Sequence, residues 1–175
     1  AGKIGESWEI VDREQDQSVV KNGKYAGITI SSLLKLKGLE ILGPKYKKNS
    51  PFPILVKWLD CQSKLSVQVH PKEIKELNPQ EEPKTESWYI HSAKRGAKIY
   101  LGFNRETSED EVFKAIKNNE IESLLNVIET NPGDSYLVKS GTIHAIGAGN
   151  FILEIQQNSD TTYRLYDWNR VGLDG

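Results

Sequence analysis

The stretch LSVQVHP, residues 65–71, reads as a short strand in which Leu65, Val67 and Val69 alternate with Ser66, Gln68 and His70. Side chains two apart on a strand point to one face. Gln68 and His70 therefore share a face and the valines take the other. An apolar strand with an amide and an imidazole side by side raises the question of what that polar face meets.

Working outward, β-branched and aromatic runs bounded by turn residues predict further strands over 54–60, 86–91, 97–103, 134–139, 151–157 and 161–168, with 65–69 among them. Arg95-Gly96, Pro132-Gly133, Ser140-Gly141 and the Gly147–Gly149 cluster supply the turns. Many short strands with Gly/Pro turns argue for a mainly β jelly-roll barrel or sandwich. Helices are fewer. The clearest spans 108–129, opened by a Ser108/Glu111 capping box and striped by Val112, Ile116, Ile121, Leu124, Leu125 and Ile128, with a break near Asn118-Asn119. Shorter helices are expected over 71–78, which begins with proline, and 28–38.

With 175 residues, the chain suits a single domain with a core of its own. A net charge of −1 leaves no basic field for nucleic acid or an anionic membrane. Lys45, Lys47 and Lys48 beside Pro44 read as a solvated loop. No apolar run approaches the roughly 20 residues of a membrane span, and no signal peptide is visible. The single cysteine, Cys61, cannot close an internal disulfide and fits a reducing, cytoplasmic setting. The chain has no methionine and opens and closes abruptly, which reads as a piece of a longer or processed protein.

Glu86 in KTESWYI and His144 in SGTIHAIG join Gln68 and His70 as a set of two nitrogen and two oxygen donors. Imidazole and carboxylate are ordinary zinc ligands, and an amide oxygen is a weaker one. Two ligands come from one strand face, and the others must come from neighbouring strands, as in a barrel wall facing its interior. Each residue singly is equally compatible with a packed, hydrogen-bonded side chain. The third histidine, His91, falls outside the set.

NPGDSYLVKSGTIHAIG, with its glycine-aspartate turn, strand and Gly-x-x-His, resembles the second motif of the cupin superfamily. More specifically, GESWEI, FPILVKWLD, LSVQVHP, KTESWYI, AKIYLGF, SGTIHAIGAG and LEIQQNSDTTYRLYDW resemble type I mannose-6-phosphate isomerases in their short bacterial form. The likeness runs in order through nearly the whole chain. It implies a zinc ion held by Gln68, His70, Glu86 and His144, and interconversion of mannose 6-phosphate and fructose 6-phosphate by proton transfer through a cis-enediolate. It also implies a single cupin-type catalytic domain over 1–175, lacking an N-terminal segment and a C-terminal β-rich portion found in relatives. Two departures are Lys139, where relatives often carry proline, and Ser87, where larger residues are common.

Under that reading one carboxylate among three neutral ligands leaves a residual positive charge for a developing enediolate. Arg164 matches the family's active-site arginine; its alternative is an ion pair with Asp160 or Asp167. Glu154, ten residues earlier across the QNSD turn, is the candidate general base, and its alternative is a structural partner of Arg164. Lys84 and Arg170 are candidate substrate or phosphate contacts, or simply solvated charges. Trp8, Tyr89 and Trp168 are candidate pocket walls, or core. No nucleotide-binding or serine-hydrolase motif is present. The rival readings are a non-catalytic sugar-phosphate-binding cupin, an incomplete enzyme fragment, and an Fe(II) oxygenase, against which Gln68 argues.

Overall fold

The computed structural model describes residues 5–72 and 81–170. In chain order the elements are β1 (Glu6–Ile10), α1 (Ile30–Leu42), β2 (Ile54–Cys61), β3 (Val67–Val69), β4 (Glu86–Ala93), β5 (Lys98–Phe103) and α2 (Glu109–Lys117). A 3-10 turn (Ile121–Leu124) follows, then β6 (Leu125–Glu129), β7 (Ser135–Val138), β8 (His144–Ile146), β9 (Asn150–Gln157) and β10 (Tyr163–Tyr166). The strands form two five-stranded sheets, ordered β1-β2-β9-β4-β7 and β10-β3-β8-β5-β6, and each named pairing is antiparallel. This is the two-sheet β architecture that the turn-punctuated sequence predicts.

Strict alternation builds the first sheet. Leu55, Lys57, Leu59 and Cys61 of β2 face inward, as do Glu86, Trp88 and Ile90 of β4 and Asn150, Ile152, Glu154 and Gln156 of β9. Cross-strand register sorts these by height. Leu59, Ile152 and Ile90 form one row, and Lys57, Glu154 and Trp88 the next. The apolar row joins Ile99, Val138 and Ile146 in the core between the sheets. The rows beyond it carry charge into the interior, and that is where the site lies.

The second sheet is buried on both faces. Val67, Tyr100 and Ala145 lie on its outer side beneath Ala115 of α2 and Ile121 and Leu124 of the 3-10 turn. Val67 is thus core, as its place in the alternation predicts, while Gln68 turns to the interior. The covering helix starts with the predicted capping box: Ser108 Oγ accepts from Glu111 N at 3.3 Å, and Glu111 Oε2 accepts from Ser108 N at 3.0 Å.

The helix predicted over 108–129 is cut short. It ends at Lys117, Asn119 takes a left-handed backbone (φ 60°), and Leu125–Glu129 is strand β6. Ladder bonds to β5, with Ile128 opposite Ile99, outweigh a helical preference that Val127 and Ile128 hold only weakly. The predicted strand over 161–168 narrows to Tyr163–Tyr166, and the one over 65–69 to Val67–Val69. The helix predicted over 28–38 is shifted to Ile30–Leu42. Strands β1 and β8 lie where the sequence predicts no strand. The helix predicted over 71–78 lies, beyond its first two residues, outside the described residues. Among the described residues no helix is long and apolar enough to cross a membrane.

Candidate metal centre and active-site cavity

Three elements of the second sheet and one of the first converge. Gln68 of β3 sits between Arg164 of β10 and His144 of β8 in a single cross-strand row. His70 follows two residues after Gln68, and its backbone carbonyl accepts from Gly141 N at 2.9 Å, which ties it to the turn before β8. Glu86 opens β4 and reaches across from the other sheet. His70, Glu86 and His144 are all 1–2% exposed, so their donor atoms meet in a nearly dry space.

The hydrogen bonds fix the tautomers. His70 Nδ1 faces the Thr161 carbonyl at 3.0 Å and His144 Nδ1 faces the Thr142 carbonyl at 2.8 Å. A carbonyl only accepts, so in each neutral imidazole Nδ1 carries the proton and Nε2 presents a lone pair. Those lone pairs point at a carboxylate. His70 Nε2 lies 3.1 Å from Glu86 Oε1, and His144 Nε2 lies 3.9 Å from Oε2. Neither His70 Nε2 nor Glu86 Oε1 completes a hydrogen bond, although Lys84 Nζ approaches Oε1 at 2.8 Å as an ion pair. Apart from the Lys84 ammonium beside Oε1 and the Gln68 amide beside His144 Nε2, these buried acceptors face one another, which is costly unless a cation sits among them.

The three side chains are close enough together to hold a metal ion. Ligands ~2.0–2.1 Å from a tetrahedral ion stand ~3.3 Å from one another. His70 Nε2 and His144 Nε2 approach different oxygens of Glu86, at 3.1 and 3.9 Å, and one donor atom from each of the three residues lies within 4.8 Å of the others. Gln68 Nε2 lies 3.1 Å from His144 Nε2, and a half-turn of the amide would bring its oxygen to the same place. Burial lowers the His144 pKa to about 4, against the pull of Glu86, so the ring is neutral as a ligand must be. Burial would raise Glu86, but the ammonium of Lys84 2.8 Å away holds the carboxyl down, at about 2. Backbone carbonyls that orient both imidazoles complete the arrangement usual around ligating histidines.

A cavity of about 380 Å³ opens beside this cluster, lined by Gln68, Lys84, Glu154, Arg164, Arg170 and Lys57 among others. That is the lower part of the range for small-molecule pockets. Among the described residues Arg164 makes no ion pair, so neither Asp160 nor Asp167 neutralises it; Asp167 pairs with Arg170 instead. Glu154 and Arg164 belong to different sheets and both line the cavity. Glu154 is 4% exposed and accepts from Trp88 Nε1 at 2.9 Å. Burial first, then the charge of Glu86, raises its pKa to about 7. Lys84 is buried against Glu86 rather than solvated. Trp8, Tyr89 and Trp168 do not line the cavity.

The family description "Phosphomannose isomerase type I, catalytic domain" matches residues 2–96, more than half of the chain. The chain belongs to the type I phosphomannose isomerase family. Mannose-6-phosphate isomerase ManA of Bacillus subtilis is 43% identical over 175 residues, covering 99% of this chain and 54% of that protein. The Streptococcus mutans mannose-6-phosphate isomerase is 44% identical over 167 residues, covering 95% and 52%. The crystal structure of the Bacillus subtilis mannose 6-phosphate isomerase superposes with a TM-score of 0.86 at 39% identity, over 98% of this chain and 54% of that one. A putative mannosephosphate isomerase from Archaeoglobus fulgidus superposes at 0.78 with 29% identity, over 94% and 55%. The chain thus spans about half the length of the relatives it matches. The fold is the cupin type that the sequence motifs imply.

Within this phosphomannose isomerase fold the four ligand candidates lie close together, and two neighbours escaped the sequence reading. Trp88 bridges the two carboxylates, donating to Glu86 Oε2 at 3.1 Å and to Glu154 Oε2 at 2.9 Å. Lys57 is 6% exposed, opposite Glu154 on the adjacent strand, with its ammonium 4.8 Å from the Trp8 ring and 3.9 Å from Glu6. The signal for Lys57 was a lysine at the inward register of ILVKWLD, between Leu55 and Leu59.

Proposed function

We propose that this chain is the metal-holding catalytic unit of a zinc-dependent aldose–ketose isomerase acting on mannose 6-phosphate and fructose 6-phosphate. The observation that carries the reading is the convergence of His70, Glu86 and His144 donor atoms beside a cavity lined by both basic and acidic side chains. Gln68, His70, Glu86 and His144 would hold a single zinc ion. When bound, zinc supplies a positive centre that offsets negative charge developing on the sugar oxygens.

The remaining roles fall to this chain's side chains. Glu154, whose pKa is raised to about 7, has the basicity to take the C2 proton and return it to C1. Trp88 fixes the orientation of that carboxylate. Arg164, which makes no ion pair among the described residues, offers its guanidinium to the sugar oxygens through the cis-enediolate. Arg170 and Lys84 are the candidate contacts to phosphate and sugar. A cytoplasmic setting, in which Cys61 stays reduced, suits this reading.

The test is isomerisation of mannose 6-phosphate by the chain with zinc, with a chelator, and as His144→Ala. Zinc-dependent turnover that vanishes with chelator and with His144→Ala is the expected result. Stoichiometric zinc with no turnover and no solvent exchange at C2 would overturn the catalytic role and leave a sugar-phosphate-binding module.

A further inference from the structure

At the cavity rim two adjacent non-glycine residues, Trp168 (φ 57°) and Asn169 (φ 55°), hold left-handed backbone. Side-chain-bearing residues stay in that region only where their surroundings over-determine it. Here the surroundings are specific. Trp168 Nε1 donates to the Leu65 carbonyl at 2.7 Å, and Arg170 Nη1 donates to the Lys64 carbonyl at 2.7 Å. The indole packs against Tyr100 and Tyr166, with ring centroids 5.4 and 5.5 Å away. Lys64 Nζ stands 4.0 Å from the Trp168 ring and is itself held by Glu122 at 3.0 and 3.2 Å. Arg170 also pairs with Asp167. Residues 167–170 therefore clasp Lys64 and Leu65, the lead-in to the strand that carries Gln68.

Trp168 does not line the cavity, whereas Leu65, Asp167 and Arg170 do. We propose that Trp168 is a positioning residue: its indole pins the left-handed turn so that Arg170 is held at the rim, and it thereby sets affinity for the anionic end of the sugar phosphate. The inference rests on the reading above in which Arg170 contacts substrate. Without the indole bond the turn is free to leave its left-handed conformation, and the guanidinium loses its fixed place. A loosened rim lowers apparent affinity by the fraction of molecules in which Arg170 is out of position.

The test is calorimetric binding of mannose 6-phosphate and of mannose to the zinc-loaded full chain, as wild type, Trp168→Phe, Arg170→Met and the double variant. Phenylalanine keeps a ring beneath Lys64 and removes only the N–H. The expected loss for Trp168→Phe is about fivefold for mannose 6-phosphate and none for mannose. Arg170→Met weakens mannose 6-phosphate about tenfold, and adding Trp168→Phe to it costs nothing further, because neighbours acting as one unit are not additive. An equal loss in both backgrounds, or an equal loss for mannose, makes Trp168 a general stabiliser and overturns the proposal. Unchanged binding in Arg170→Met removes the substrate contact and with it the premise; a loss there with none in Trp168→Phe removes the clasp alone. If Trp168→Phe does not fold, Trp168→Leu carries the same comparison, since it also removes the indole N–H while keeping apolar bulk against Tyr100 and Tyr166.

Discussion

The side chains of the interior divide into groups kept reactive and groups kept inert, and burial alone does not decide which. Cys61 and His144 are both nearly inaccessible, at 3% and 1% exposed. His144 keeps a lone pair aimed at other donors. Cys61 lies among Leu59, Ile90 and Ile152, where burial, helped by the charges of Glu154 and Asp60, pushes its thiol up to about 12. The thiolate is the nucleophile, so this thiol has almost none at neutral pH. Native protein is therefore expected to resist a disulfide reagent near neutrality and to take up one equivalent once denaturant is added. Rapid reaction of the native thiol would mean that the core opens. The sign for stability follows: the folded state holds the proton above the unfolded thiol's pKa, so this contribution is present below that value and is lost as pH rises toward about 12.

The elements were legible wherever period and chemistry agreed. Gln68 and His70 could be placed on one face because the strand period is two, and the structure keeps them together. Lys57 followed the same rule at an inward register, but a lysine in an apolar run does not by itself reveal whether a cavity waits beside it. The stretch 108–129 misled because Leu125 and Ile128 fit a helical stripe and also a strand edge, and only β5 decides. Its first half was readable from Ser108 and Glu111. That cap has a consequence for the site, since α2 presses Ala115 onto the sheet that bears Gln68 and His144. Ser108→Ala is expected to cost about 1 kcal/mol of unfolding free energy, measured by denaturant titration, with zinc stoichiometry unchanged. A loss of zinc at equal stability would mean that α2 shapes the ligands directly.

At the scale of the molecule the proposed ligand set is a seam. Glu86 belongs to one sheet, and Gln68, His70 and His144 to or beside strands of the other. Sequence spacing could nominate the four but not their distances, because the two sheets meet only through long-range pairing. A cation bound there would join the sheets through four side chains and remove the opposition between the Glu86 oxygens and the imidazole lone pairs. Anything that binds the folded state alone stabilises it, by about 2.7 kcal/mol when its concentration is a hundred times its dissociation constant. Chelation is thus expected to lower the melting temperature by several degrees, and stoichiometric zinc to restore it. Magnesium, which prefers six oxygens and gives up its water reluctantly, is expected to do neither. His144→Ala would melt at one temperature with or without zinc, since the ring that faces Gln68 and Glu86 together is gone. A wild-type melting temperature indifferent to chelator and zinc alike would mean that Lys84 already compensates Glu86 and that the seam closes without a metal.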